Sequence, residues 1–436
     1  PAATDRGGER DGAHGSPVAQ GLREMTPATR AGSVDGKRLA RDIEAIARFS
    51  EQEPSVGYSR PTFSPAWRKA RDYVIHEAEA AGCVTRVDAA GNVHARRAGL
   101  GWETPAWLCG SHVDSVPTGG KYDGVVGVAV ALEVLRAAPQ APVELVVFAE
   151  EEGTTFDLGM LGSKAWAGTL DAEQLRSLRN ARGEDYLSAG ADHGVDPDRL
   201  RAERLSAACY HGMVEAHVEQ GLSLWKAGEP VAVVTGINGR RQYQCALTGA
   251  ANHAGSTAMA DRRDALAGAA ESVLLLEAMA RELDGEADHT VITVGRLDAH
   301  PNAVNVIAGA VQFSVDFRSP SDQVLQRGEA MLQARLQQAA AARGLALEVT
   351  RTELLPAVPL DPGVCRMLHA AAARLDMKLP EASSGALHDT AILAPFLPAA
   401  MLFIASRDGI SHNPAEFSRT EHIALAARVL VEAFSA

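Results

Sequence analysis

The chain is organised around residues 105–136, which read PAWLCGSHVDSVPTGGKYDGVVGVAVALEVLR. The first residues of this stretch favour a strand, and the apolar run that begins at Val125 favours a buried helix. His112 and Asp123 therefore lie at the end of the strand and in the loop that follows it. Glycine accepts backbone angles that crowd other residues, so the loop glycines let the chain double back and bring these two side chains together. The stretch predicts a strand–loop–helix unit that carries two potential metal ligands.

The next predicted strand, Val143–Phe148, is apolar enough to lie in the middle of a sheet. It is followed by three consecutive glutamates, residues 150–152, and then by a glycine. A strand–helix–strand succession is typical of an α/β sheet, in which the loops at the carboxyl ends of the strands carry the chemistry. Three adjacent carboxylates repel one another unless a cation or a shared proton offsets the repulsion. This loop is therefore a second candidate for a metal site.

The remainder of the chain predicts further strands and helices around this unit. Residues 213–221 alternate as a strand does and place Glu215, His217 and Glu219 on one face. His412 follows an apolar strand predicted at 399–404. The other predicted strands are residues 83–87, 92–96, 231–235, 242–247, 290–297, 311–317 and 346–353. Besides the helix that begins at Val125, the pattern predicts a helix from Asp35 with Leu39, Ile43 and Ile46 on one face and a second from Trp67 to Ala78. Further predicted helices are residues 171–178, 196–205, 263–283, 321–343, 362–375 and 421–434.

Composition and pattern divide the chain into three parts. Residues 1–34 are rich in Gly, Ala, Arg and Asp, show no apolar period, and predict a flexible tail. Residues 35–234 and 353–436 alternate between helices and strands as an α/β unit does. Residues 235–352 have a compact α+β pattern. We therefore expect a larger α/β-sheet domain with a smaller α+β domain inserted between its two parts.

Composition also excludes several classes of protein. At 436 residues the chain is long enough for two domains, and 46% hydrophobic with 22% charged residues is typical of a soluble globular protein. We find no apolar run of about 20 residues that could cross a membrane and no charged-then-apolar signal pattern, so we expect a cytoplasmic protein. A net charge of −13 argues against nucleic acid or an anionic membrane surface as a partner.

The type of metal site follows from the residues that are present. The five cysteines are far apart and form no CxxC pair, so neither a disulfide framework nor a thiolate zinc site is expected. Any metal ligands should be imidazole and carboxylate. Separate segments supply such groups at His112, Asp123, Glu151, Glu152, His217 and His412. Several such groups on the loop ends of one sheet predict a two-metal hydrolytic site, in which one carboxylate bridges the ions and another moves the proton.

Seven segments, in order between residues 38 and 434, resemble the signatures of one enzyme family. They are His112-Val-Asp114, Gly120-Lys-Tyr-Asp-Gly124, Glu150-Glu-Glu-Gly153, His217-Val-Glu-Gln-Gly221, Asn252-His-Ala-Gly255, Pro301-Asn-Ala-Val-Asn-Val-Ile307 and Ile410-Ser-His-Asn-Pro-Ala-Glu416. The chain resembles the amidase/hydantoinase-carbamoylase family, which comprises N-carbamoyl-L-amino-acid hydrolases, allantoate amidohydrolases and β-ureidopropionases. This family lies within the dimetal aminoacylase and carboxypeptidase superfamily. The resemblance implies a dimetal catalytic domain with an inserted dimerisation and lid domain at 235–352.

The resemblance also implies roles for individual residues. One divalent ion would be held by His112 and His217 and a second by Glu152 and His412, with Asp123 bridging the two ions. Zinc suits imidazole and carboxylate ligands, and manganese, cobalt or nickel are alternatives. Glu151 would be the general base that takes a proton from the water and returns it to the leaving nitrogen. Asp114 would orient His112.

Further residues are implied to hold the substrate, a small molecule with a carboxylate. They are Gln220, Asn305, Arg318, Gly385, Leu387 and His388. Arg318 suits a carboxylate because its planar fork makes two parallel hydrogen bonds. His253 would reach the active site of the partner subunit and stabilise the oxyanion, which implies a homodimer and closure between domains.

Two departures from the family pattern bear on the substrate. Thr155 stands where family sequences commonly have an arginine, and Leu387 stands where they commonly have a glycine. A leucine beside the pocket adds bulk where a substrate backbone would approach, so a displaced or smaller substrate is expected. Neither departure touches an expected metal ligand.

We therefore expect a metal-dependent hydrolase of linear amides. It would cleave the carbamoyl C–N bond of N-carbamoyl-L-amino acids or related ureido acids and release ammonia and carbon dioxide. An allantoate amidohydrolase or an N-acyl-amino-acid hydrolase would keep the same site and change the substrate. A catalytically silent dimer that binds a carboxylate ligand is an alternative of a different class. Such a protein would be expected to lack a metal ligand or Glu151, and this sequence has all of them.

Overall fold

A computed structural model describes residues 33–287 and 289–436 of the chain. Of the flexible tail predicted at 1–34, residues 1–32 lie outside the described residues. The α-helices of the described ranges are α1 (Gly36–Arg48), α2 (Pro65–Ala80), α3 (Val125–Ala137), α4 (Leu161–Ala167), α5 (Ala172–Ser177), α6 (Tyr186–Gly190), α7 (Ser223–Ala227), α8 (Ala265–Asp284), α9 (Asp322–Ala342), α10 (Pro362–Arg374), α11 (Asp389–Leu393) and α12 (Thr420–Phe434).

The strands lie in three sheets. They are β1 (Cys83–Val87), β2 (Val93–Arg97), β3 (Ala106–His112), β4 (Val143–Phe148), β5 (Tyr210–Val218), β6 (Val231–Ile237), β7 (Gly239–Thr248), β8 (Asn252–His253), β9 (Val291–Thr293), β10 (Leu297–His300), β11 (Val306–Ile307), β12 (Ala310–Ser319), β13 (Ala346–Leu355), β14 (Val358–Pro359), β15 (Glu381–Ser384) and β16 (Ala399–Ile404). Nine of them form the larger sheet in the order β1-β2-β4-β3-β5-β16-β6-β14, with β15 also pairing with β6.

The centre of the larger sheet is parallel. Strands β4, β3, β5 and β16 are neighbours and run in the same direction. Central parallel strands are covered on both faces and consist of nearly continuous apolar residues. Every residue of β4 and of β16 is buried, as this rule requires. The mixed α/β fold class predicted from the sequence is confirmed.

Helix α3 follows the organising loop and lies in the core. All of its residues except Arg136 are buried. The helix approaches the sheet most closely at Gly127, where a Cβ would lie 2.4 Å from the carbonyl oxygen of Ala216 and 2.6 Å from the Cβ of Ser111. Only glycine permits this distance. The close approach holds the start of α3, and Asp123 just before it, against β3 and β5.

A second, five-stranded sheet has the order β10-β12-β7-β13, with β9 also pairing with β12. Its inner face packs against α8 and α9 around a separate apolar core that includes Phe313, Phe317 and Leu332. Alternate residues of β7 and β12 are buried there, and those between them are half-exposed on the open face. The domain bounds predicted at 235 and 352 fall inside β6 and β13. The division of the chain into domains at those positions stays a prediction.

Two predicted elements differ from the structure. Residues 196–205 form turns instead of a helix, and Glu203 accepts a hydrogen bond from the backbone N–H of Ala89 in the β1–β2 connection. Residues 290–297 form β9 and β10 instead of one strand. Thr293 pairs with Asp316 of β12, whereas Leu297 pairs with Phe313. The register shifts by one residue between these pairs, as it does at a β-bulge, and this shift interrupts the strand.

Two expectations from composition concern cysteines and membranes. All five cysteines are buried and none is in a disulfide. Burial raises the pKa of the Cys109 and Cys245 thiols, so both stay protonated and are poor metal ligands. In the described part of the chain, no helix combines the length and the apolar character that a membrane span needs.

Candidate active site

The carboxyl ends of adjacent parallel strands bring the predicted ligands together. Strand β3 ends at His112, β4 leads into Glu151 and Glu152, and His217 is the next-to-last residue of β5. Strand β16 leads into the loop that carries His412. Carboxyl ends of neighbouring parallel strands meet at one edge of a sheet, where α/β proteins place their sites. We call the resulting group the imidazole–carboxylate cluster; it consists of His112, Asp123, Glu151, Glu152, His217 and His412.

Backbone carbonyls fix which nitrogen of each buried imidazole faces the cluster. Nδ1 of His112 lies 3.0 Å from the carbonyl oxygen of Asp114, and Nδ1 of His217 lies 2.9 Å from that of Val218. A carbonyl oxygen only accepts, so Nδ1 is the donor in both rings and Nε2 faces the cluster. The carboxylate of Asp114 lies farther from the same Nδ1, at 3.7 Å, and accepts a hydrogen bond from the backbone N–H of Glu152. Asp114 therefore contacts the His112 ring mainly through its carbonyl.

Asp123 lies between two groups of ligands. Its Oδ1 is 3.2 Å from Nε2 of His217 and 3.7 Å from Nε2 of His112. Its Oδ2 is 3.0 Å from Nε2 of His412, which in turn is 3.7 Å from Oε2 of Glu152. Each group brings its ligand atoms close enough together to hold one ion. The two oxygens of one carboxylate thus face different groups, which is the arrangement of a carboxylate that bridges two ions.

The cluster brings several carboxyl groups close together. Oε2 of Glu151 lies 3.6 Å from Nε2 of His112. Burial and the charge of Glu152 raise the pKa of Glu151 well above its usual value, and burial and the charge of Asp123 do the same for Glu152. Burial also opposes the ionisation of Asp123, but hydrogen bonds with His217 and His412 hold its pKa well below the usual range. Imidazole nitrogen and carboxylate oxygen are ligands of divalent transition metals, so the cluster fits divalent metal binding.

Left-handed backbone is frequent around the cluster. The φ angle is 64° at Gly124, 55° at Glu150, 56° at Gln220 and 52° at His412. For a residue other than glycine this conformation costs about 1–2 kcal/mol. A Cβ at position 124 would also lie 2.5 Å from the ring of His112, so Gly124 permits both the turn of the loop and the approach of the imidazole. Such conformations concentrate at functional sites.

Glu416 is a positioning residue to which the sequence assigned no role. Its Oε2 accepts hydrogen bonds from the backbone N–H of Asp123 at 3.1 Å and of the preceding residue at 2.8 Å. Its Oε1 accepts one from Oγ of Ser411 at 2.7 Å. Glu416 therefore joins the loop of Asp123 to the loop of His412. Its position at the end of the motif at 410–416 is the sequence feature from which this role could have been predicted.

A third group, Glu215, His217 and His388, also has ligand atoms within reach of one ion. Both oxygens of Glu215 already accept hydrogen bonds, from Oγ of Ser111 at 2.7 Å and from Oγ1 of Thr390 at 2.6 Å. The His388 ring packs edge-on against His217, with 4.5 Å between the ring centroids. These contacts make the group a support for His217 beneath the cluster.

A cavity of about 240 Å³ opens onto the cluster. Its lining beyond the cluster includes Gln220, Arg240, Arg318, Leu387 and His388. An adjoining cavity of about 450 Å³ shares Gln220, Arg318 and His412 and adds Gly385. Nε2 of Gln220 donates to Oδ2 of Asp123 at 2.8 Å, and the Arg318 guanidinium donates to the carbonyl of Gly385 at 2.8 Å. These predicted substrate residues therefore surround two adjoining cavities beside the cluster.

His253 and Asn305 are predicted site residues that lie elsewhere. Both are exposed in or beside the ladder of β8 and β11, and neither lines the two cavities. The backbone N–H of Ala254 donates to the carbonyl of Asn305 at 3.0 Å. Nδ1 of His253 accepts hydrogen bonds from the N–H groups of Gly255 and Ser256 at 3.0 and 3.1 Å. Nε2 of His253 therefore carries the proton and is presented as a donor.

The two departures from the family pattern have different surroundings. The N–H of Thr155 donates to Oε1 of Glu150 at 2.7 Å, and its Oγ1 accepts from the N–H of Thr62 at 3.1 Å. Oε2 of Glu150 is buried and has no hydrogen-bond partner among the described residues. Leu387 is half-buried and lines the 240 Å³ cavity, where its bulk narrows the space beside the cluster.

Comparison with known proteins identifies the family. The family model described as Peptidase family M20/M25/M40 matches residues 108–436, which include the whole imidazole–carboxylate cluster. The chain belongs to this family. Among M20 relatives, an N-carbamoyl-L-amino acid amidohydrolase of Geobacillus stearothermophilus is 36% identical over 403 residues, covering 91% of this chain and 97% of the relative. An allantoate amidohydrolase of Bacillus subtilis is 32% identical over 400 residues, covering 89% and 95%.

A solved structure shows which group of M20 proteins this chain is similar to. The amidase of the hydantoinase/carbamoylase family from Burkholderia multivorans superimposes with a TM-score of 0.86 at 35% identity, covering 92% of this chain and 97% of that one. The resemblance to hydantoinase/carbamoylase amidases predicted from the motifs is confirmed. This M20 protein is a hydrolase that acts on C–N bonds other than peptide bonds.

Proposed function

We propose that this M20 hydrolase is a two-metal amidohydrolase that cleaves the carbamoyl C–N bond of N-carbamoyl-L-amino acids or related ureido acids. One water is consumed, and ammonia, carbon dioxide and the amino acid are released. The observation that carries this proposal is Asp123, whose two oxygens face two separate groups of imidazole and carboxylate ligands. The names of the two relatives support ureido compounds as the substrate class. The proposed location is the cytoplasm.

The proposed metal ligands follow from the two groups. His112 and His217 would hold one divalent ion, Glu152 and His412 would hold the other, and Asp123 would bridge them. Zinc, manganese, cobalt and nickel all accept such ligands. When bound, the ions supply Lewis acidity for the substrate carbonyl and lower the pKa of the attacking water.

Glu151 is the proposed general base. It lines the 240 Å³ cavity, and its raised pKa suits a carboxylate that must hold a proton between two transfers. Glu151 takes a proton from the attacking water and delivers it to the leaving nitrogen. Asp114 and Glu416 keep the neighbouring ligands in place, the first through the His112 ring and the second through the loop of Asp123.

Substrate positioning is proposed for residues around the two cavities. Arg318 binds the substrate carboxylate, since a guanidinium can make two parallel hydrogen bonds to it. Gln220 is held by Asp123 at the boundary of both cavities and is placed to contact the ureido group. Gly385, Leu387 and His388 shape the wall of the cavities.

A homodimer is proposed because His253 and Asn305 do not reach the cluster of their own chain. They would act in the active site of the partner subunit, with the inserted domain at 235–352 providing the dimer contact and the closing lid. The Nε2–H of His253 is a donor that suits an oxyanion. The side chain of Val304, next to Asn305, is fully exposed.

The first experiment is a substrate panel with metal-stripped enzyme that is then reloaded with zinc or manganese. The panel contains N-carbamoyl-L-amino acids, allantoate and N-acetyl-L-amino acids, with ammonia or free amino acid as the product measured. We expect metal-dependent ammonia release from the N-carbamoyl compounds. Turnover of only allantoate or only N-acetyl compounds would change the proposed substrate and leave the proposed site unchanged. Metal binding without any turnover would favour a silent carboxylate-binding dimer.

A further inference from the structure

Arg240 lines the 240 Å³ cavity together with Arg318. The two arginines are direct cross-strand partners in β7 and β12, so both side chains leave the same, open face of the five-stranded sheet. Asp123 and Glu151 line the same cavity. A molecule bound with its reacting bond at the cluster therefore meets two guanidinium groups in one confined space.

The two guanidinium groups differ in how many donors remain free. Arg318 donates to both oxygens of Asp316, at 2.8 and 3.3 Å, and to the carbonyl of Gly385. Arg240 donates through Nε to Glu353 at 2.5 Å. Its two terminal nitrogens have no hydrogen-bond partner in residues 33–287 or 289–436. Since a guanidinium carries five N–H donors, most of those on Arg240 remain available to a ligand.

Two like charges placed directly opposite each other on a sheet destabilise it unless anions offset them. Asp316 and Glu353 each offset one charge of the pair. A ureido acid with a single carboxylate, bound at Arg318, would leave the free edge of Arg240 unused inside the cavity. A second carboxylate on the substrate would accept two parallel hydrogen bonds from that edge.

We propose that Arg240 binds a second carboxylate of the substrate, so that the enzyme prefers N-carbamoyl derivatives of acidic amino acids. Arg318 holds the carboxylate on the α-carbon, and Arg240 holds the carboxylate of the side chain. This inference rests on the proposed function, because it uses the same cavity and the same reaction. It narrows the substrate class from ureido acids to ureido dicarboxylates.

The test compares substrates of equal shape that differ in one charge. The kcat/KM for ammonia release is measured with N-carbamoyl-L-glutamate and N-carbamoyl-L-glutamine, and with the shorter pair N-carbamoyl-L-aspartate and N-carbamoyl-L-asparagine. We expect the wild-type enzyme to prefer the acid in at least one pair. Arg240→Gln should lower that acid-to-amide ratio about tenfold to a hundredfold, the usual effect of losing hydrogen bonds to a charged group. An unchanged ratio, or a wild-type preference for both amides, overturns the proposal.

Two further variants separate binding from a structural role. Arg296→Gln removes a charge from the connection between β9 and β10, outside both cavities, and should leave the ratio unchanged. The double variant Arg240→Gln with Glu353→Gln removes the ion pair without leaving an unpaired carboxylate. If Arg240 only neutralises Glu353, the double variant regains the wild-type ratio and the proposal fails. If Arg240 binds substrate, the ratio stays low.

The panel also distinguishes this proposal from the proposed function. Turnover of the neutral ureido acids without a preference for the acids overturns the role of Arg240 and leaves the amidohydrolase assignment intact. Silence on every ureido compound, with the metals bound, overturns both.

Discussion

The imidazole–carboxylate cluster and the β8–β11 ladder both carry residues with predicted catalytic roles, but only the cluster is complete within one chain. The cluster lies at the ends of parallel strands, and all of its residues except His412 are largely shielded from solvent. His253 and Asn305 are exposed on the ladder, outside both cavities. Under the proposed roles, metal binding and proton transfer would belong to one subunit, whereas stabilisation of the oxyanion would need a group from the partner subunit. Changes in the two regions should therefore have different consequences.

The largest effect is expected within the cluster. Glu151→Gln should lower kcat by roughly 10²–10⁴-fold, the usual range for losing a general acid–base. The metal content should be retained, because Glu151 is not among the proposed ligands. Steady-state kinetics and metal analysis of the purified variant measure both quantities.

The adjacent glutamate offers the matched control. Glu150→Gln should lower kcat far less, since its Oε1 accepts backbone hydrogen bonds within its own loop and it lines neither cavity. Equal losses in the two variants would mean that the charge of the loop matters and that Glu151 has no special role. Loss of metal from Glu151→Gln would make Glu151 a ligand.

A smaller effect is expected from the loop that supports the cluster. Gly124→Ala places a Cβ 2.5 Å from the His112 ring at a φ of 64°, so the imidazole must move. We expect metal affinity to fall about 10–100-fold, as it does when the orientation of a ligand is disturbed. Calorimetric titration of the metal-stripped protein measures the affinity.

Gly228→Ala isolates the contribution of the backbone. Gly228 has a similar φ of 72°, and its added Cβ would meet no atom within 4 Å. Gly228→Ala should lose about 1–2 kcal/mol of stability from its left-handed conformation, and Gly124→Ala should lose more, because its ψ of −47° lies outside that region. Only Gly124→Ala should lose metal affinity. If Gly228→Ala also binds metal weakly, general destabilisation explains the result and the approach to His112 does not.

The sequence could predict those parts of the site that lie next to one another in the chain. His112, Asp123 and Glu152 follow from local patterns, because a strand, its terminal residues and the next loop are contiguous in the chain. Sequence patterns do not give strand register. The pairing of Arg240 with Arg318 in β7 and β12 is therefore visible only in the structure.

A sequence motif also does not show whether a residue acts through its side chain or through its backbone. Asp114 was expected to orient His112, and the closer contact turns out to be the carbonyl, at 3.0 Å, and not the carboxylate. The helix predicted at 196–205 is wrong for a similar reason. Its local pattern competes with a tertiary contact, the hydrogen bond between Glu203 and Ala89, that the pattern does not contain.

The smallest expected effect on activity tests the role of His253 on the β8–β11 ladder. If His253 acts in the partner's site, a mixed dimer of His253→Ala and Glu151→Gln chains has one site with both groups intact and one with neither. Co-expression with random pairing should then restore about a quarter of the wild-type activity, because half of the dimers are mixed and each has one working site. His253 acting in its own chain predicts no recovery. Full activity of the His253→Ala enzyme alone would remove His253 from catalysis and leave the cluster complete without the ladder.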